Sequence, residues 1–359
     1  MPLDVGSIEM WMGPTEVGAP DDLEAALVDF IDAARSELCV AVQELEQESV
    51  ARALTSARAR GVRVRVILER RYLRSDKPPA DPFGPGGTFD ENRRLLGALL
   101  RAGIEVTIDL NPATFHQKFI VRDAAGSSTQ AAVLTGSTNF TPTGLHSNLN
   151  DIVVIRGRRT ATVYHEEFEE MWEGTFGVLR ERRDRAPAEY RPSKVRVKVL
   201  FGPDHGPEME IMKQMLKATR RIDFAMFTFT DSSGIDDTLR AMASSGVQVR
   251  GILDRGQGNQ TWAATHGLLG RPNIDLYLSD NRGPLNKLHH KLTVIDDEIV
   301  IIGSFNFTLP ATNLNDENIA VIGSMYEEDP DGIARQRALA LYARREIDRM
   351  IRRNAVART

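Results

Sequence analysis

The chain has a single cysteine, Cys39, in 359 residues. An internal disulfide is therefore excluded, and the apolar neighbours Leu38, Val40, Ala41 and Val42 make Cys39 a small core residue. No apolar run approaches the roughly 20 residues that a membrane-spanning helix requires. The N-terminus, Met-Pro-Leu-Asp-Val-Gly, lacks the basic and apolar regions of a secretory signal. These absences predict a cytoplasmic chain without stable membrane association. A global basic field is also missing, since the net charge is -5. Charge is uneven, however. Arg180, Arg182, Arg183, Arg185, Arg191, Lys194, Arg196 and Lys198 lie close together, and residues 335–359 hold eight Arg against Glu346 and Asp348. Such stretches read either as solvated faces or as guides for a polyanion.

What is present is a repeat. Gly13-Pro14 precedes a helical pattern from Asp21, a strand at 38–42, a helix near 47–60 and a strand at 62–68. Gly202-Pro203 precedes the same series: a helix near 208–219, a strand near 222–229, a helix near 233–245 and a strand at 247–253. Third strands follow at 104–110 and 274–278, and helices at 161–173 and 333–353 close the two copies. Strands alternating with helices predict an α/β fold, with a mixed or mostly parallel sheet flanked by helices in each half. The halves divide as 1–186 and 187–359, with a linker near 184–193. Residues 75–89 of the first half carry Pro78, Pro79, Pro82, Pro85 and three glycines, so they form a surface loop, either a lid or a plain insertion. The last helix, with Leu339, Leu341, Ile347 and Ile351, packs on its own domain or on a second copy in a homodimer.

Within each copy lies one constellation. His116, Lys118 and Asp123 are followed by Gly136, Ser137 and Asn139. His289, Lys291 and Asp296 are followed by Gly303, Ser304 and Asn306. Residues two apart on a strand share a face, so each imidazole stands beside an ammonium. Phosphodiester cleavage needs a nucleophile, an acid for the leaving oxygen and cations around the non-bridging oxygens. Two histidines supply the first two, two lysines supply charge, and Ser and Asn supply neutral donors. One half has half of the set, so the halves are expected to face each other across a pseudo-two-fold axis. His146, His165, His205, His266 and His290 have no matching partners and read as structural or exposed.

The duplicated H-x-K-x(4)-D and G-S-x-N pattern resembles the phospholipase D superfamily, over nearly the whole chain. The resemblance implies two tandem, pseudo-symmetric phospholipase D-like α/β sandwich domains. It implies a covalent phosphohistidine, with no metal and no cofactor. His116 is then the nucleophile and His289 the acid. Lys118, Lys291, Asn139 and Asn306 hold the phosphate, helped by Ser137 and Ser304. Asp123 and Asp296 belong to the catalytic motif, more as braces than as substrate contacts. Glu317 fits the carboxylate that orients a histidine. Asp151 is its counterpart in the first half, although aligning the strands puts Asn150 opposite Glu317. Gly-Ser-Phe-Asn-Phe-Thr at 303–308 looks like the nuclease members, so a nuclease with a nucleic-acid partner, DNA before RNA, is the expected function. The alternatives are a phospholipase D or phosphatidyltransferase, and a nucleic-acid-binding protein with an inactive site. A lipid enzyme predicts an apolar rim, for which the loop at 75–89 offers Phe83 and Phe89.

Overall fold

The structure, a computed structural model, describes residues 1–127, 129–179, 187 and 189–357. The expected division after residue 186, and residues 184–186 and 188 of the expected linker, fall outside the described residues. So do Arg180, Arg182, Arg183 and Arg185.

The first half forms β1 (Leu3–Asp4), β2 (Ile8–Gly13), α1 (Leu23–Asp32), β3 (Glu37–Val42), α2 (Glu48–Ala59), β4 (Arg63–Leu68), α3 (Asp90–Arg101), β5 (Glu105–Ile108), β6 (Lys118–Arg122), β7 (Ala132–Gly136), α4 (Pro142–His146), β8 (Asn148–Arg156) and α5 (Arg158–Trp172). The second half forms β9 (Glu189–Tyr190), β10 (Val197–Gly202), α6 (Pro207–Met215), β11 (Arg221–Met226), α7 (Gly234–Ser244), β12 (Gln248–Leu253), α8 (Arg255–Gly258), α9 (Thr265–Leu268), β13 (Ile274–Ser279), β14 (Lys287–Leu288), β15 (Lys291–Ile295), β16 (Ile299–Gly303), α10 (Leu309–Asn313), β17 (Glu317–Ile322), α11 (Pro330–Asn354) and β18 (Ala355–Ala357).

Two mixed sheets result. The first runs β1-β2-β8-β7-β6-β3-β4-β5, and the second runs β18-β13-β12-β11-β15-β16-β17-β10-β9. In each, three parallel strands (β3-β4-β5, β11-β12-β13) adjoin an antiparallel set. Two strands of this repeat, β2 and β10, are absent from the sequence reading. Their period-two burial, with Ile8, Met10 and Met12 buried and Glu9 and Trp11 less so, is the signal that marks them.

Alternation along the strands sorts side chains into layers. Leu38, Val40 and Val42 face an outer core with Leu27 and Phe30 of α1 and Leu54 of α2. Cys39 and Ala41 face an inner core that holds residues of both halves. That inner core contains Tyr164, Phe168 and Met171 of α5 and Leu339, Ile347 and Met350 of α11. The last helix thus packs within its own chain. A third cluster, with Ile211, Leu239, Phe224 and Val249, repeats the outer core in the second half. The halves also exchange backbone. β14, from the second half, pairs in parallel with β8 of the first. Phe115 bridges Asp316, and the His116 N–H donates to the Asp316 carbonyl at 2.9 Å.

Candidate active site

His116 and Lys118 lie at the start of β6, and His289 and Lys291 at the start of β15. The residue just after the second parallel strand fixes each approach. Glu69 accepts from the Phe115 N–H at 2.7 Å, and Asp254 accepts from the Leu288 N–H at 3.1 Å. These are the residues just before the two histidines. The repeated acid after β4 and β12 was visible in the sequence, but its task was not.

Each histidine is held by the opposite half. The His116 Nδ1–H donates to Glu317 Oε2 at 2.8 Å, and Glu317 is fully buried. The His289 Nδ1–H donates to Asn150 Oδ1 at 2.9 Å. Asn150 gives its amide nitrogen to the Gly144 carbonyl at 2.8 Å, so its oxygen must face the ring. Both imidazoles therefore carry their lone pair on Nε2, free on His116 and accepting from Lys291 on His289. The Nε2 of His289 lies 3.0 Å from the Lys291 ammonium. Lys118 donates to Gln43 Oε1 at 3.1 Å, and the ring of Phe227 covers Lys291 at 5.2 Å. Gln43 and Phe227 went unnoticed in the sequence. They occupy matching places just beyond β3 and β11.

Burial is the main influence on these groups. It pushes His116 down to about 4, against the opposing pull of Glu317 and helped by Lys118 and Lys291. It lowers Lys118 to about 8. It holds His289 and Lys291 well below their usual ranges, with the lysines adding to the effect. A site in which burial disfavours the charged form of four basic groups is built to receive negative charge, because an anion opposes each shift.

The remaining motif residues separate by position. Ser137 donates to Asn150 Oδ1 at 3.0 Å, and Ser304 donates to Glu317 Oε2. Both serines are fully buried, so they brace the histidine supports and do not face a phosphate as expected. The glycines before them have φ of +150° and +152°, and a Cβ would meet the carbonyls of Asp151 and Asn318 at 2.3 and 2.2 Å. Asp123 and Asp296 sit at the far ends of β6 and β15. Asp123 accepts from the backbone N–H groups of Arg35, Ser36 and Glu37, and Asp296 from those of Thr219, Arg220 and Arg221. Their φ values of 49° and 54° suit Asp, whose short carboxylate tolerates the left-handed region. They are braces remote from the histidines and stand outside the catalytic site.

Asp151 does not orient His289. Its Oδ2 holds the Nδ1 of His290 at 2.6 Å, and both groups are fully buried. His290, read from the sequence as lacking a partner, has this one. At the matching place in the other half, Gln117 pairs with Asn318 at 2.7 Å. The order amide-carboxylate at 150–151 becomes carboxylate-amide at 317–318. One carboxylate per half results, at different depths.

Asn139 and Asn306 also part company. Asn306 accepts from the Thr228 N–H at 3.3 Å, whereas Asn139 gives its amide nitrogen to Glu44 Oε1 at 2.7 Å. Among the described residues, a group of metal-ligating types is Glu37, Cys39 and His165, outside this site. The Arg65 guanidinium already sits there, 3.2 Å from Glu37 and 3.3 Å from the Cys39 sulfur. A cation would be repelled.

A family model described as "Cardiolipin synthase, PLD-like domain" matches residues 27–172 and 211–329. Among curated proteins, the mitochondrial cardiolipin hydrolase of Xenopus laevis is 34% identical over 148 residues, covering 41% of this chain and 59% of that protein. A phospholipase D of Rickettsia bellii is 30% identical over 145 residues, 40% of this chain and 61% of that one. The chain thus spans about three-fifths of these relatives. The crystal structure of phosphatidylserine synthase from Haemophilus influenzae shares the fold. Its TM-score is 0.66 at 14% identity, covering 100% of this chain and 89% of that one.

Proposed function

Because this chain belongs to the phospholipase D superfamily, we propose that it is a phosphodiesterase working through a phosphohistidine on His116. The observation that carries the reading is the reciprocal hold of each histidine by the opposite half, Glu317 on His116 and Asn150 on His289. The unequal partners assign the roles. Attack by His116 Nε2 on phosphorus leaves the ring cationic, and the Glu317 carboxylate offsets that charge. The bound phosphate anion favours protonation of His289 at Nε2, and the neutral amide behind the ring leaves that imidazolium a stronger acid, suited to protonating the leaving oxygen as the P–O bond breaks. His289 then takes a proton from water, the water oxygen attacks phosphorus, and the P–N bond breaks to release His116. Lys118 and Lys291 neutralise the non-bridging oxygens throughout.

For the substrate we place phospholipids first. Among the described residues, the cations expected to meet a polyanion are largely paired within the chain: Arg196 on Glu189, Lys198 on Glu210, Arg337 on Glu298, Arg344 on Asp297 and Arg349 on Glu346. Leu110, Leu309 and Leu314 are exposed on segments leading to His116 and Glu317, and Phe83 is fully exposed. This adds to the apolar rim that a lipid surface would meet. The nuclease reading is the second, favoured by Arg345, Arg352 and Arg353, which are exposed on α11.

The test is hydrolysis in excess EDTA of phosphatidylethanolamine vesicles and of single- and double-stranded DNA, by wild type and His116→Asn. Lipid cleavage that the variant loses is expected. DNA cleavage without lipid cleavage would reverse the order of substrates. Cleavage of neither, nor of RNA, would sink the enzymatic reading and favour a binding protein.

A further inference from the structure

The two motif asparagines stand at the same position in each half but leave opposite ends uncommitted. Asn306 satisfies its oxygen on the Thr228 N–H, which leaves its amide N–H groups for an oxyanion. Asn139 is nine-tenths buried and has its amide nitrogen committed to Glu44. Its Oδ1 is buried without a hydrogen-bond partner. With Glu44 ionised, the reverse orientation would set two oxygens against each other at 2.7 Å. An orphaned buried acceptor is costly, and a donor from outside the chain would relieve it.

Glu44 strengthens the asymmetry. Its place in the second half is taken by Thr228, two residues beyond the β-strand in each case. Tyr72 also hydrogen-bonds Glu44, and Gln43 donates to the Tyr72 oxygen at 3.4 Å. Tyr72 in turn packs edge-on against Phe89, with ring centroids 4.9 Å apart. Phe89 ends the proline- and glycine-rich loop. That loop is itself pinned by Arg93, which donates to the Thr88 and Gly86 carbonyls. The loop therefore reaches the site through the Tyr72–Phe89 contact. The charged groups that face Glu44 are Lys118, Glu46 and Lys287, while burial acts to raise its carboxyl.

From this geometry we infer that Glu44, Tyr72 and Asn139 form a subsite for a hydrogen-bond donor, an ammonium or a hydroxyl, on the headgroup esterified to the scissile phosphate. This rests on the phospholipid reading above. The phosphate sits towards Asn306 and the two lysines, because two acceptors side by side repel an anion. The headgroup then lies against the first half, under the anchored end of the loop. A headgroup without an N–H or O–H leaves Asn139 Oδ1 unpaired and gains nothing from Glu44 but diffuse attraction.

Four inert phosphate monoesters test this by calorimetric binding to the full chain. They are 2-aminoethyl phosphate, glycerol 3-phosphate, phosphocholine and ethyl phosphate. The first two should bind about tenfold tighter than ethyl phosphate, the margin a charge-assisted hydrogen bond supplies. Phosphocholine carries the cation without the donor and should fall well short of 2-aminoethyl phosphate. Glu44→Gln should erase most of the 2-aminoethyl advantage. Equal binding of all four by wild type would overturn the inference with no variant needed, as would tightest binding of ethyl phosphate or failure of all four to bind. Turnover of bis(p-nitrophenyl) phosphate by the same preparation reports separately on the phosphodiesterase reading, since that diester has no donor.

Discussion

Replacing Glu317 by Gln isolates one charge. The side chain is fully buried, and Gln has nearly its shape, so the hydrogen bonds from His116 and Ser304 can persist. What disappears is the negative charge behind a ring that becomes cationic when it attacks phosphorus. Two unit charges about 4 Å apart, at an effective dielectric of about 20, interact by about 4 kcal/mol. The retained hydrogen bond and the neighbouring lysines reduce this, so a loss of about 2–4 kcal/mol in transition-state stabilisation is expected. That corresponds to a fall of about 30- to 1000-fold in kcat/KM. The assay is hydrolysis of bis(p-nitrophenyl) phosphate at neutral pH in EDTA, with Tm recorded for both proteins. Its leaving group needs little acid, so the assay reads the attack step. A variant that keeps activity within about threefold of wild type at unchanged Tm would refute the assignment of His116 as nucleophile and Glu317 as its counter-charge.

Asn150→Asp should do the reverse at the other histidine. A carboxylate there makes His289 a weaker acid, so cleavage of a substrate with a poor leaving group should fall at least tenfold while p-nitrophenyl diesters are spared, as paired kinetics would show. Gly136→Ala places a Cβ 2.3 Å from the Asp151 carbonyl at a φ of +150°, and a chemical-denaturation midpoint should fall by an amount equivalent to several kcal/mol, or the chain should fail to fold. The pH dependence of stability follows from His116. Its folded pKa, about 4, is below the unfolded value near 6.5, so its contribution is fully present above about pH 6.5 and is lost as pH falls towards 4. His116→Asn should flatten that acid slope by roughly 3 kcal/mol at most, and an unchanged slope in denaturation series from pH 7 to 4 would show that His116 is not held neutral.

The chain's order of residues determined what is local. The duplication, the His-x-Lys faces, the glycine that must precede each serine and the strand-helix alternation all depend on neighbours a few positions apart, where period two and period 3.6 dictate direction. Cys39 and Ala41 against Leu38, Val40 and Val42 show that alternation setting two different cores. Tertiary structure decided whatever joins the halves. Glu317 reaches His116 across about 200 positions of chain, and Asn150 reaches His289 across 139. Strand alignment set Asn150 opposite Glu317, but no local rule weighs a carboxylate against an amide one place away, and only the packing shows Asn150 on His289 and Asp151 on His290. Ser137 and Ser304 look like phosphate donors until burial shows them bonded to Asn150 and Glu317. Glu44 belongs to no motif in the sequence, and only the structure sets it against Asn139. A side chain's type is written in the sequence, but which of its atoms remains free depends on which neighbour the packing of two sheets brings within hydrogen-bonding distance.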